Sequence, residues 1–277
     1  MLTVGRFCRY CCMTVIQNRF TERFEDLPQS AKVYDIIELR FRRKMKGTKS
    51  KQKVAFFDID GTIFRSSLLI ELTESLIQEG IFPQGAKDIY AGAFRRWLDR
   101  KDTYDKYIWA VIRAYNKYIA GVKYSEFEKV AEKVVSFHKN RVYRYTRDLI
   151  KELKKKKYYL VAISNSPKEI VEVFAHSLGF NKVYGRIYKI TDEGRFENKV
   201  LFLDLVNDKS KVVELAVKTE GLSLKSSVGV GDSESDIPLL RMVDRPICFN
   251  PNSKLYTHAK RKGWEVVVER KDVVYHL

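Results

Sequence analysis

The chain has 277 residues, 45% of them hydrophobic and 31% charged, with a formal net charge of +17. That length suits one large domain or a domain carrying an insertion, and the composition is globular rather than disordered or fibrous. No run approaches the roughly 18–20 apolar residues of a membrane span and no secretory signal is evident, so a cytoplasmic protein is expected.

Residues 1–50 hold eleven Lys/Arg against five Asp/Glu, so most of the positive excess lies in the body of the chain. A basic surface favours nucleic acid, acidic membrane faces or small anions, or reflects no more than a solubility trait, which is the preferred reading. Ala31–Lys44 reads as a basic amphipathic helix, with Val33, Ile36, Ile37 and Leu39 near one side. It is either a docking arm for RNA or membrane, or a peripheral stretch with Met45 as an alternative initiator; the second is preferred. Cys8-x-x-Cys11 is half a zinc signature without a second pair, so Cys8, Cys11, Cys12 and Cys248 are expected to be reduced thiols.

Val54-Ala55-Phe56-Phe57 reads as a short strand buried on both faces, as in a parallel sheet. It ends in Asp58-Ile59-Asp60, whose carboxylates at i and i+2 project to one side of the strand's carboxyl end. Open α/β sheets bind ligands at that edge. Gly61 permits a sharp turn and Thr62 adds a hydroxyl. The result is an anionic cup that calls for a divalent cation and presents a carboxylate as a nucleophile.

Ser66 to about Arg147 is helical in pattern. Leu68, Leu69, Leu72, Leu76 and Ile77 share one face, and further segments run over Ile89–Leu98, Tyr107–Ile119 and Phe127–Phe137. Its aromatic residues, Tyr90, Phe94, Trp97, Tyr104 and Tyr107 among them, are expected to be core, with some facing a cleft.

The α/β pattern then resumes. A helix near Tyr145–Lys156 feeds the strand Leu160–Ile163, which closes in Ser164-Asn165-Ser166-Pro167. Val183–Lys199 reads as a hairpin turning at Thr191–Gly194, and Lys209–Thr219 as a helix. A third buried strand ends in Gly231-Asp232, followed by Asp236 and a helix over Ser235–Met242; short strands at Pro246–Phe249 and Glu265–Val268 flank a last helix. Alternating strands and helices predict a doubly wound parallel sheet.

In this order, Asp58-Ile59-Asp60-Gly61-Thr62, Ser164, and Gly231-Asp232 with Asp236 resemble the haloacid dehalogenase superfamily of phosphohydrolases. The resemblance is to its phosphoserine-phosphatase-like branch, subfamily IB, which carries a helical cap after the first strand. Asp192-Glu193-Gly194-Arg195-Phe196, Phe249-Asn250-Pro251-Asn252 and Gly263-Trp264-Glu265-Val266 also look like that branch, over roughly residues 52–270. It implies an α/β core of 51–65 and 146–277, an all-helical cap of 66–145, and an N-terminal extension of 1–50.

The resemblance further implies a Mg²⁺-dependent phosphatase acting on a small phosphorylated metabolite through an aspartyl phosphate. Asp58 would be the nucleophile and Asp60 the general acid and base, with its backbone carbonyl joining Asp58 and Asp232 around the metal. Asp236 would anchor the metal's waters or orient Lys209. Ser164 and Asn165 would bind phosphate, with Gly61, Thr62 and Lys209 beside them. Lys209 lies 23 residues before Asp232 and is preferred over its rival Lys211.

True phosphoserine phosphatases resemble Asp-x-Asp-Ser-Thr with a glutamate soon after. Here Ile63-Phe64-Arg65-Ser66-Ser67 carries no early acid, and Arg65 points to a more anionic substrate, so phosphoserine is the second choice. Gly229-x-Gly231 lacks the third glycine of a dinucleotide fingerprint, and no phosphate-binding nucleotide loop is present. His138, His176, His258 and His276 have no metal-ligand spacing and are expected on surfaces. A nucleic-acid- or membrane-surface-binding protein using the basic arm is the alternative from another class.

Overall fold

Runs such as Val54-Ala55-Phe56-Phe57, fully buried on both faces, build the centre of one eight-stranded sheet. The computed structural model describes residues 51–277. The helix expected over Ala31–Lys44, the initiator Met45, and Cys8, Cys11 and Cys12 lie outside the described residues.

Strand β1 (Gln52–Asp58) is followed by five helices: α1 (Leu68–Gln78), α2 (Asp88–Leu98), α3 (Tyr104–Tyr118), α4 (Tyr124–His138) and α5 (Arg144–Lys155). Next come β2 (Tyr159–Pro167), α6 (Lys168–Ser177), β3 (Lys182–Ile190), β4 (Phe196–Leu201), α7 (Leu203–Val206), α8 (Lys209–Glu220) and β5 (Leu222–Gly231). The chain closes with α9 (Ile237–Leu240), β6 (Arg245–Phe249), α10 (Ser253–Lys262), β7 (Glu265–Arg270) and β8 (Val273–His276).

The sheet order is β4-β3-β2-β1-β5-β6-β7-β8. Its inner pairs are parallel, while β3–β4 and β7–β8 are antiparallel. The chain winds outward through β2 and β3 on one side of β1 and through β5, β6 and β7 on the other. The carboxyl end of β1 is therefore the switch point where such sheets open a crevice.

Alternating side chains of β1 feed two cores. Ala55 and Phe57 pack with Leu68 and Leu72 of α1, Leu149 of α5 and Phe174 of α6. Val54 and Phe56 pack with Val212 and Val213 of α8, Leu239 of α9 and Leu255 of α10. Helices thus cover both faces of the sheet. None of the helices of the described residues is long and apolar enough to cross a membrane.

Three expectations shift. Helix α3 starts at Tyr104, not Tyr107, because the Thr103 side chain accepts a hydrogen bond from the Lys106 N–H. The helix expected over Ser235–Met242 is a 3₁₀ turn at Glu234–Asp236 followed by the short α9, since Ser233 and Asp236 form a capping box that tightens the first turn. His258 is buried against Trp264, ring centroids 4.9 Å apart, rather than on the surface. Cys248 is a buried free thiol.

Candidate active site

β1, β2 and β5 end side by side. Asp58 pairs with Ile163 and Phe57 with Val230, so Ser164 and Asp232 follow on the same edge within two residues. At Gly61 the backbone turns with φ of +83°, and a Cβ there would collide with Oδ2 of Asp232. Glycine is required twice over at this position, by its conformation and by the approach of the carboxylate. Gly231 is held just as closely, because a Cβ would meet the Asp236 side chain.

Asp58, Lys209 and Asp236 form a buried ionic triad. Lys209 Nζ lies 2.6 Å from Asp58 Oδ1 and 2.5 Å from Asp236 Oδ1. Lys209 opens α8, where the Asp208 side chain caps the helix by accepting from the Ser210 N–H. Burial works against the ammonium charge, but Asp236 and Asp58 outweigh it and hold Lys209 well above its ordinary pKa. Lys211, two residues on, is exposed.

Asp236 is fully enclosed. Its second oxygen accepts from the N–H groups of Asp232 and Ser233, each at 3.0 Å. Asp58 is pushed up to about 7, by burial first and by Asp236 and Asp60, with Lys209 pulling the other way. Burial, then Asp58 and Asp236, likewise raises Asp232 well above the ordinary carboxylate range. Like charges gathered in one low-dielectric pocket oppose ionisation unless further positive charge arrives.

One oxygen from each of Asp58, Asp232 and Asp236 lies within 4.8 Å of the others. Asp236 already uses both oxygens, on Lys209 and on backbone N–H groups. Asp58 Oδ2, in contrast, is buried without a hydrogen-bond partner. Asp58 and Asp232 are therefore the carboxylates left to hold a cation, and hard oxygen donors of this kind fit Mg²⁺.

Asp60 is placed differently. Its Oδ1 accepts from the Leu68 N–H at 2.6 Å, and Oδ2 accepts from the hydroxyls of Ser164 at 2.5 Å and Ser166 at 2.9 Å. Its carboxylate is thus held by the start of α1 and the end of β2 while its charge still acts on Asp58, and Ser164 directs its hydroxyl to Asp60. Asn165 is exposed beside it. The Thr62 hydroxyl is buried and unpartnered, and its carbonyl accepts from Thr146 Oγ1 at 3.1 Å. The sequence reads Ser166 as part of the polar strand end without giving it a role, although its i+2 spacing from Ser164 is a signal for a shared direction.

Two tyrosines lie within electrostatic reach of the strand-end carboxylates. Tyr104, at the start of α3, is raised by burial and then by Asp60 and Asp232. Tyr143 is raised by burial and then by Asp232, and the exposed Arg65 guanidinium lies 5.7 Å from the centre of its ring. The sequence offers Tyr104 among several aromatic residues without singling it out, and gives no sign of Tyr143.

A family model described as haloacid dehalogenase-like hydrolase matches residues 55–241. The chain is 26% identical over 221 residues to the inhibition of morphological differentiation protein of Streptomyces azureus, covering 77% of each. It is 25% identical over 220 residues to a phosphoserine phosphatase of Mycobacterium tuberculosis, covering 76% of this chain and 69% of that one. The fold is shared with a solved structure titled phospho-aspartyl intermediate analogue of phosphoserine phosphatase: TM-score 0.52, 21% identity, 80% of this chain and 96% of the other.

Proposed function

Given that this chain belongs to the haloacid dehalogenase-like hydrolase family, we propose that it hydrolyses a small phosphomonoester with Mg²⁺, through a phosphoryl group carried on Asp58. It is a phosphoric monoester hydrolase by family and by its phosphatase-named relatives. The observation that carries the finer reading is the orphaned, buried Asp58 Oδ2 beside a lysine-held Asp58 Oδ1.

Asp58 and Asp232, with the backbone carbonyl of Asp60, would hold Mg²⁺, which when bound supplies positive charge opposite the phosphate. At 4 Å each like-charge pair costs about 4 kcal/mol at an effective dielectric near 20, so carboxylates alone would repel the substrate. Lys209 adds a fixed charge. As an Asp58 oxygen forms its bond to phosphorus it loses negative charge, and Lys209 turns from that oxygen to the phosphoryl oxygens. The bond from phosphorus to the alcohol oxygen breaks, and Asp60 delivers its proton to the departing alkoxide. Asp60 then takes a proton from water, which attacks phosphorus, releases phosphate and restores Asp58.

Asp60 can do this because hydroxyls are two-way partners. Ser164 and Ser166 donate to it when it is ionised and rotate to accept when it carries the proton. The N–H of Asn165 and the turn at Gly61 and Thr62 would bind phosphate oxygens, and Asp236 would keep Lys209 oriented. In this reading residues 66–145 are a helical cap over a core of 51–65 and 146–277.

Phosphoserine is the second reading, supported by the names of relatives. Against it, the first acid after Asp60 is Glu71, which is already held by Arg141 at 2.8 Å and His138 at 3.3 Å. No ion pair engages Arg65 among the described residues, which suits a substrate with a further anionic group. The test is release of inorganic phosphate from a panel of phosphorylated metabolites with Mg²⁺ present. No release from any of them, or an Asp58→Asn variant as active as its parent, rejects the reading.

A further inference from the structure

We propose that a cavity between β2, β3 and α7 is the subsite for the alcohol part of the substrate, so that the preferred phosphomonoester carries a compact apolar body of about six carbons. This rests on the phosphatase reading above and names the substrate class for that site.

The cavity sits where the sheet loses its register. β2 and β3 pair at Ile163–Tyr184 and again at Pro167–Arg186, so residues 164–166 of β2 face only Gly185 of β3. A surplus of this kind bulges the longer strand and interrupts the pairing. Gly185 cannot carry a side chain there, because a Cβ would stand 2.5 Å from the Lys168 Cα. The bulge borders a space of about 230 Å³, walled by Ile163, Val183, Ile187, Leu201, Leu205 and Val212, with Ser164 and Asn165 at its edge. No carboxylate lines it. Its two cations are already engaged, Lys168 with Glu172 at 3.3 Å and Lys182 with Glu220 at 3.2 Å.

Its walls adjoin the proposed reacting groups. Ile163 stands opposite Asp58 in the β1–β2 register, one strand spacing or about 5 Å away. The Ser164 hydroxyl is 2.5 Å from Asp60 Oδ2. Val212 follows Lys209 on α8 at i+3, close to one turn, and so shares its side of the helix. A larger open groove, about 730 Å³ between Glu79 and Val130, borders none of these residues.

Phe202, just before α7, also lines the cavity, and it is held at a φ of +55° although it is not glycine. It is 46% exposed, and Leu203 beside it 48%. Strain kept at a bulky residue and apolar surface left open at the same place both point to a ligand that covers them. A cavity of about 150 Å³ with aliphatic and aromatic walls holds a benzene molecule. The larger space here fits a six-carbon body, whereas a charged group would enter it without a free counter-ion. A second anionic group, which Arg65 suits, is therefore read outside the cavity.

The experiment compares n-hexyl phosphate with ethyl phosphate, whose alcohols leave with similar ease, in the presence of Mg²⁺. In parallel it measures binding of hexylphosphonate and ethylphosphonate, which are not cleaved. The wild-type protein should favour the hexyl ligand by at least about tenfold in kcat/KM, through KM, and by a similar ratio in calorimetric Kd. Ile187→Trp and Leu205→Trp, which fill the space from half-buried wall positions, should reduce both ratios to near one. Phe202→Ala should lower them several-fold. Equal affinity of the wild type for the two phosphonates, no binding of either, or a filling variant that folds and keeps the full preference overturns the subsite. Should neither filling variant melt cooperatively, Phe202→Ala decides, and an unchanged ratio in it overturns the subsite. If the phosphonate ratio holds and falls in the variants while neither ester is cleaved, the subsite stands and the phosphoryl-transfer reading fails. If both esters are cleaved equally and both phosphonates bind equally, the hydrolase reading stands and the subsite fails.

Discussion

Lys209 Nζ stands 2.6 Å from Asp58 Oδ1, joining two side chains 151 residues apart in sequence and only 3% and 7% exposed. Removing one member of such a buried pair strands the other charge, which typically costs about 3–5 kcal/mol. Lys209→Met would leave Asp58 and Asp236 facing each other without a cation. We expect a loss of stability of that order in urea unfolding, and a fall of at least about a hundredfold in phosphate release. The exposed Lys211 has no such partner, and Lys211→Ala should stay within about twofold of wild type. An active Lys209→Met beside a dead Lys211→Ala would exchange their roles.

Gly61 and Asp232 make the second prediction. Gly61→Ala places a methyl group against Asp232 Oδ2 and forces a positive φ on a residue that resists it. The carboxylate has to move, and it is one of the two left to hold a cation. Stability should fall by about 1–3 kcal/mol. Under the proposed function Mg²⁺ should raise the Tm of the wild type and EDTA should reverse it, and in Gly61→Ala this rise should shrink or vanish. A variant that keeps the full Mg²⁺-dependent rise would show that Asp232 does not hold the metal.

The strand ends were legible because burial and chemistry coincide there. Val54–Phe57, Leu160–Ile163 and Val228–Gly231 are apolar runs that stop at polar residues, and the structure sets all three side by side in parallel. Lys209 came from the family resemblance, by its distance from Asp232, and its contact with Asp58 gives that position a physical reason. What escaped depends on contacts with no local trace. Ser166 reaches Asp60 across 106 residues, and nothing in Ser164-Asn165-Ser166 says which hydroxyl turns inward. The start of α3 was missed because the apolar period begins at Tyr107, while the capping side chain at Thr103 decides the boundary. Strand β8 follows a turn at Lys271, where φ is +55°, and only its pairing with β7 makes it a strand.

Glu169 makes a prediction about pH that is separate from Asp58, Asp232 and Asp236. It lies in the first turn of α6, and its Oε2 is buried without a partner. Burial pushes its pKa up to about 7, against Lys168 and with Glu172 of its own helix and Glu128 of α4. Tyr115 of α3 also interacts with it. The folded protein holds this proton more tightly than the unfolded chain, so the stabilisation is fully present below about 4.5 and is lost as pH rises through about 7. The change is of the order of 3 kcal/mol. Unfolding free energies measured between pH 5 and 8 should fall with this slope in the wild type and flatten in Glu169→Gln. An unchanged slope in the variant would assign the effect to other groups.

Ser166 separates two roles that a strand-end hydroxyl can play. Its Oγ donates to Asp60 Oδ2 at 2.9 Å, and it is 3% exposed. Under the proposed function Asp60 moves the proton, and a residue that acts only on Asp60 should change the chemical step and not the binding of phosphate. Ser166→Ala is therefore expected to lower kcat by about tenfold with KM little changed, and to reduce stability by about 1 kcal/mol. Ser164→Ala should lower kcat further and also raise KM, because Ser164 is proposed to bind phosphate as well as Asp60. Steady-state kinetics on one substrate with Mg²⁺ saturating reads both effects. A Ser166→Ala variant with a raised KM and an intact kcat would move that hydroxyl from the proton-transfer residue to the phosphate.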